Sequence, residues 1–242
     1  MALYRDHGVV LRTSKLGETD RIITFLTREN GKVRAVAKGV RRPGSKFGAR
    51  LEPTSNVALQ LYRGRNLDIV TQAETLDTNR SLREDYALLT HAISMLEAVD
   101  QVAQERESDP VMYRMLEGAL RTLSSEKSLI ISVAFLWKLL SHEGFHPVLT
   151  SCARCEFEFG DAVEPTTFDF GEGGALCSSC AAGGGRRISA DAIVVISALV
   201  DARVRAVIDQ PPSTEVLLEV EHLGVGALEH HSERRLRSAA LY

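Results

Sequence analysis

The four cysteines of the chain fall in two C-x2-C pairs, Cys152/Cys155 and Cys177/Cys180, with 21 residues between the pairs and no other cysteine anywhere. Two residues between thiols let one tight turn aim both at a single ion, and two such turns complete a tetrahedral shell. The spacer runs about one residue past the usual range for paired zinc knuckles. The pattern therefore predicts one Zn²⁺ held by Cys152, Cys155, Cys177 and Cys180. Four thiolates leave no position for water or substrate, so such an ion is structural and orders a segment that cannot bury a core of its own. That segment, Cys152 to Arg187, has six glycines after Phe170 and no helical period. Neither pair is followed by glycine; Glu156 and Ala181 stand there. A cytosolic disulfide or a metal-free loop is the alternative. The first residues carry Arg5, Asp6 and Arg12 and no apolar stretch, so they do not read as a secretory signal, and a reducing, cytoplasmic setting is expected.

On either side of this segment the hydrophobic period differs. The first 80 residues read as five short strands: Gly8–Thr13, Arg21–Leu26, Lys32–Ala37, Val57–Tyr62 and Leu67–Gln72. Asn30-Gly31 is a hairpin turn signal between the second and third. Five strands in about 75 residues suggest a small closed sheet, and an OB-fold β-barrel is the natural candidate. After Asn79 the period becomes helical. Ser81 with Glu84 resembles a capping box, Asp109-Pro110 opens a second helix, and Ser128 to about Glu143 makes a third. A fourth helix begins near Ser189 in a run apolar to Val207, and a last one spans about Glu215 to Arg237. The expected organisation is α+β: an N-terminal OB-fold over residues 1–80, an α-helical domain over 81–151 and 188–242, and the four-cysteine insertion at 152–187.

The formal net charge of −3 hides an asymmetry. Residues 1–80 hold 15 Lys and Arg against 8 Asp and Glu, a net of +7; residues 81–242 hold 14 against 24, a net of −10. A basic first third suggests a polyanionic partner. Lys32, Arg34, Lys38, Arg41, Arg42, Lys46 and Arg50 lie within 19 residues, with Phe47 among them, and Arg63 and Arg65 form a second basic loop. Glycines and prolines over residues 38–53 make the first stretch a loop, not a helix face. OB-folds hold single strands in basic grooves with stacking side chains, and Phe47 and Tyr62 are candidates for stacking or for barrel core. No run reaches the roughly 18 apolar residues that span a membrane.

His142-Glu143-Gly144-Phe145-His146 matches the H-E-x-x-H zinc peptidase pentapeptide. Pro147 and Gly144 argue against a helix through it, and an interdomain turn is expected. No G-x-S-x-G or P-loop is present.

Several stretches closely resemble the bacterial recombination and repair RecO family: residues 16–24 (LGETDRIIT), Gly31-Lys32, residues 37–42 (AKGVRR), Phe47-Gly48, Leu51-Glu52-Pro53, Tyr62-Arg63-Gly64-Arg65 and the late Arg234-Arg235-Leu236-Arg237-Ser238. The resemblance implies an OB-fold, a helical domain and a zinc-binding insertion. It also implies no covalent chemistry, and binding of single- and double-stranded DNA with annealing of complementary strands. With RecR, such proteins load RecA onto strands coated by single-strand-binding protein, whose acidic C-terminal tail they contact. In this chain that contact has only loose candidates: Arg121, Lys127, Lys138, Arg186, Arg187, Arg203 and Arg205. A different OB-fold nucleic-acid binder of the translation apparatus, and a pure protein-interaction scaffold, are the rival readings.

Overall fold

The computed structural model describes residues 2–45, 47–160 and 165–238. They pack as two compact units, the described residues up to 127 with 237 and 238, and those from 128 to 236.

Strands β1 (Leu3–Leu16), β2 (Asp20–Thr27), β3 (Gly31–Ala37), β4 (Asn56–Tyr62) and β5 (Asp68–Asp77) close a barrel in the order β1-β2-β3-β5-β4. All pairings are antiparallel except β3 with β5. This is the five-stranded OB arrangement, and each strand contains most or all of the run expected for it. The β2–β3 hairpin turns at Asn30-Gly31. Gly31 has φ +61°, and a Cβ there would stand 1.7 Å from the Glu107 carbonyl oxygen, so no other residue fits. Along β3, residues 31, 33, 35 and 37 are buried and the alternate ones are not, as one-sided burial demands. The core contains Val10, Ile23, Phe25, Ala35, Val57, Leu59, Leu61 and Val70. Phe47 and Leu51, from the loop between β3 and β4, plug it.

Three helices complete this unit: α1 (Arg80–Glu84), α2 (Tyr86–Val102) and α3 (Pro110–Glu126). The expected capping box does not form. Ser81 lies inside the short α1 and donates to the Ser124 carbonyl, while Asp85, in extended conformation, caps α2 by accepting from Leu88 N. Asp109 caps α3 as its Asp-Pro start implied, accepting from Met112 N at 2.8 Å.

Helices α2 and α3 form one compact unit with the barrel. Three contacts explain this. Asp68, wholly buried on β5, receives Arg106 through both guanidinium nitrogens, at 2.8 and 3.1 Å, together with Tyr4 Oη and Gly64 N. Asn56 accepts from Tyr113 Oη and donates to Glu117, both at 2.9 Å. Lys32 donates to the Asp100 carbonyl at 2.7 Å. Burial opposes charge on Asp68, but Arg106, Tyr4 and the Gly64 N–H outweigh it and hold the carboxyl below its usual range. The Glu97 carboxylate accepts from Arg237 N, Ser238 N and Ser238 Oγ, at 3.0, 2.8 and 2.6 Å, and clasps the returning chain.

The second unit holds α4 (Ile130–His142), a three-stranded sheet of β6 (Pro165–Asp169), β7 (Gly174–Cys177) and β8 (Arg186–Arg187), then α5 (Ala190–Val200), α6 (Val204–Asp209) and α7 (Thr214–Ser232). The sheet order is β7-β6-β8. Buried Trp137 donates to the Val220 carbonyl at 3.1 Å and meets Phe168 edge-on, with ring centroids 6.2 Å apart. Gly224 admits this close approach of α7, since a Cβ there would stand 3.1 Å from Trp137 Nε1. Two helices are shorter than expected. The apolar run to Val207 breaks at Asp201–Arg203, where Ala202 has φ +61°, and α7 ends before Glu233, at φ +54°. No helix among the described residues is long and apolar enough to cross a membrane.

Candidate nucleic-acid interface and cysteine cluster

The barrel topology sorts the basic residues to its two ends. The β1–β2 turn and the chain leaving β3 share one end; the β2–β3 turn and the β4–β5 link share the other. At the first end, Asp20 opens β2. It accepts from Gly39 N and Thr19 Oγ1, at 2.8 and 2.9 Å. The Gly39 N–H, Thr19 and then the Arg42 and Lys38 cations hold its carboxyl below the ordinary range. Arg41 N donates to the Thr19 carbonyl at 3.0 Å, and the Arg41 guanidinium reaches the Glu18 carbonyl at 3.0 Å. Turn 17–20 thus holds the loop carrying Lys38, Arg41 and Arg42, all three exposed. Arg50 is exposed farther along that loop, and Lys46 lies outside the described residues.

Arg63 and Arg65 are at the opposite end, so the two basic loops do not form one patch. Arg63 donates to Asn30 at 3.0 Å and stacks over Tyr4 at 5.2 Å; Arg65 is exposed. Lys32 is engaged within its own unit. Its side chain is 12% exposed, and its ammonium is engaged by the Asp100 carbonyl and, at 3.7 Å, the Asp100 carboxylate. Phe47, 2% exposed, is core and not a stacking platform. Tyr62 and Arg34 are half-buried on the outer barrel surface. Sequence reading missed Asp20 as the organiser of the loop; an Asp that opens a strand just after a Gly-Glu-Thr turn was its only signal.

In the second unit the four cysteine Sγ atoms lie within 4.8 Å of one another. Cys155 and Cys177 Sγ are 3.9 Å apart, far from the roughly 2.05 Å of a disulfide and close to the roughly 3.8 Å edge of a tetrahedron of 2.3 Å metal–sulfur bonds. The backbone is shaped for this. Glu156 N donates to the Cys152 carbonyl at 2.8 Å, and Glu156 takes the left-handed φ of +61° that glycine would adopt there without strain. Cys177 N points at Cys152 Sγ, 3.4 Å away. Burial opposes ionisation of Cys152, but N–H groups of Cys177, Cys155 and Arg154 bring its thiol down to about 6. Hydrogen bonds with Cys155 and Cys177 push Cys180 up to about 12. Without a cation, one thiolate forms at the cost of its neighbours. Arg154 links the two pairs, donating to the Cys180 carbonyl at 2.8 Å and to Glu172 at 3.0 Å. Geometry and donor set fit one closed tetrahedral metal site.

The H-E-x-x-H stretch has no such geometry. Helix α4 ends at His142 and Gly144 turns the chain with φ +90°, so His142 and His146 do not share a helix face. Of the loose candidates, Arg203 and Arg205 pair with Asp201 and Asp209, both at 3.0 Å, while Arg186 and Arg187 are exposed on β8.

Comparison with known proteins covers nearly the whole chain. Residues 1–79 match the family described as Recombination protein O N terminal, and residues 83–240 match Recombination protein O C terminal. A curated relative, the DNA repair protein RecO of Nocardioides sp. (strain ATCC BAA-499 / JS614), is 43% identical over 242 residues, covering 98% of each chain. With the OB barrel, the following helices and the cysteine cluster in place, the chain belongs to the recombination protein O (RecO) family of DNA recombination and repair proteins.

Proposed function

We propose that this chain is a recombination mediator in the cytoplasm. It binds single- and double-stranded DNA and anneals complementary strands. With RecR it helps load RecA onto strands coated by single-strand-binding protein, whose acidic tail it contacts. It performs no covalent step. The observation that carries this reading is the family match across both units, and the loop chemistry supports it. Lys38, Arg41 and Arg42 project from one barrel end on a loop fixed by Asp20, with Arg50 beyond. Arg34, Arg63 and Arg65 add charge elsewhere on the barrel, and Lys46 belongs to the same set by sequence.

The mechanism is electrostatic. Lysine and arginine neutralise phosphates and release counterions, so affinity is sequence-blind and falls steeply with salt. Two complementary strands repel each other, and a shared cationic surface lowers that repulsion enough for pairing to begin. We assign Zn²⁺ to Cys152, Cys155, Cys177 and Cys180. When bound, it supplies the positive charge that lets four thiolates coexist and so holds the two cysteine turns together.

Fluorescence anisotropy of a labelled single-stranded oligonucleotide at several salt concentrations tests the reading. Five neutralised phosphates give a log–log slope of about −3.5, and replacing Lys38, Arg41 and Arg42 together by Ala flattens it by about 2. An unchanged slope would move the contact away from this loop, and no binding at low salt would leave a protein-interaction scaffold as the better reading.

A further inference from the structure

The cross-strand register places five apolar residues in one row on the outside of the barrel. Leu3 pairs with Tyr62, Tyr62 with Ile69, Ile69 with Val36 and Val36 with Ile22. Each points outward, because its chain neighbours Tyr4, Leu61, Val70, Ala35 and Ile23 belong to the core cluster or pack against it. Leu3 is 54% exposed and the other four are half-buried. Directly paired positions are about 5 Å apart, so the row is a continuous apolar track about 20 Å long. It crosses β1, β4, β5, β3 and β2 in turn.

The track is bordered by cations on both sides. On β3, Arg34 stands two residues before Val36, and exposed Lys38 follows two residues after it. On β1, exposed Arg5 stands two residues beyond Leu3. The Arg34 Nε is buried and has no hydrogen-bond partner among the described residues. The track also joins the separated basic loops. Tyr62 adjoins Arg63 at one barrel end, while Val36 and Ile22 lead to Lys38 and Asp20 at the other.

We infer that this row is a platform for the unpaired bases of a single strand, with its phosphates on the Lys38, Arg34 and Arg5 borders. The inference rests on the DNA-binding reading above and specifies how one ligand class is recognised. An apolar track between cations suits a polymer with one apolar face and one anionic edge. A single strand has both. A duplex hides its base faces in its own stack and offers the track nothing. The barrel's positive charge attracts any polyanion, an acidic protein surface included, so base dependence is the property to measure.

The probes are a fluorescein-labelled oligothymidine, an abasic strand of the same length and a duplex of the same length, each titrated against the full-length protein at fixed salt. The wild-type chain binds oligothymidine at least about fivefold more tightly than the abasic strand, since a base stacked on aromatic Tyr62 contributes about that much and the aliphatic positions shield further base area from water. The variant I22T/V36T/I69T keeps β-branched side chains on the strands, retains the salt slope and the abasic affinity, and loses the preference for bases. Thermal unfolding verifies its fold; should the triple variant melt early, V36T and I69T singly carry the test, each with about a twofold or greater loss. Equal wild-type affinity for oligothymidine and abasic strand, or a preference that survives the folded variants, overturns the platform. Loss of salt-dependent binding to every probe is a different result and removes the DNA-binding reading itself.

Discussion

The barrel and the cysteine module solve one problem, ordering a short chain, with different means. The barrel closes five strands over a core cluster of twelve buried residues, two of which, Phe47 and Leu51, plug it from the loop. Among the described residues the thiols of the cysteine module share a small buried cluster of Cys152, Leu176 and Cys177, with Ala153, Phe159, Cys180 and Ala181 packed partly against it, while buried Phe168 on β6 leans on Trp137 of α4. So few apolar groups cannot offset the conformational entropy of some thirty residues at about 1–2 kcal/mol each. The difference teaches that one C-x2-C turn is not a fold; an ion held between two of them would stand in for the missing core.

Metal removal should break the symmetry of this comparison most sharply. Stripping the metal with a chelator, or replacing Cys152 by Ser, abolishes hydrogen-exchange protection across β6 and β7 and leaves β1–β5 protected, because site formation supplies about 10–16 kcal/mol. Retained protection in β7 would mean that side-chain packing, not metal, orders the module. The barrel has its own single point of failure. Asp68→Ala leaves Arg106 and Tyr4 without their buried acceptor and costs about 3–5 kcal/mol, read as a fall in melting temperature on the order of 10 °C, with zinc content unchanged. A smaller effect sharpens the module side. Arg154→Ala cuts the strap from Cys155's turn to the Cys180 carbonyl and weakens metal retention about 10–100-fold in a chelator competition. Arg154→Lys restores little of it, since one ammonium cannot fork to both Cys180 and Glu172. Full retention in Arg154→Ala would reduce the strap to surface decoration.

What was legible in the sequence was local. The Asn30-Gly31 turn, the Asp109 cap and both C-x2-C turns are set by residues within a few positions of each other, so spacing reveals them. Long-range partnerships were not legible. Lys32 reads as one more basic residue in a cluster, yet its partner Asp100 lies 68 positions away. Asp68 and Arg106 are 38 positions apart, and their pairing moves α2 and α3 into the barrel's unit. Strand order, invisible in the sequence, sends Arg63 and Arg65 to the end of the barrel opposite Lys38. The apolar row of Leu3, Tyr62, Ile69, Val36 and Ile22 was hidden for the same reason, because it exists only once five separate strands are in register.

The Glu97 clasp sets a timetable for biosynthesis. The residues it holds follow it by up to 141 positions, beyond the whole of the second unit. At about 5–20 residues per second, a nascent chain presents the barrel, α2 and α3 roughly 6–22 s before Ser238 exists to be captured. During that interval the Glu97 carboxylate has no amides from the returning chain to accept. The last contact of the first unit is therefore among the last to form, and its closing reports that everything between has been made.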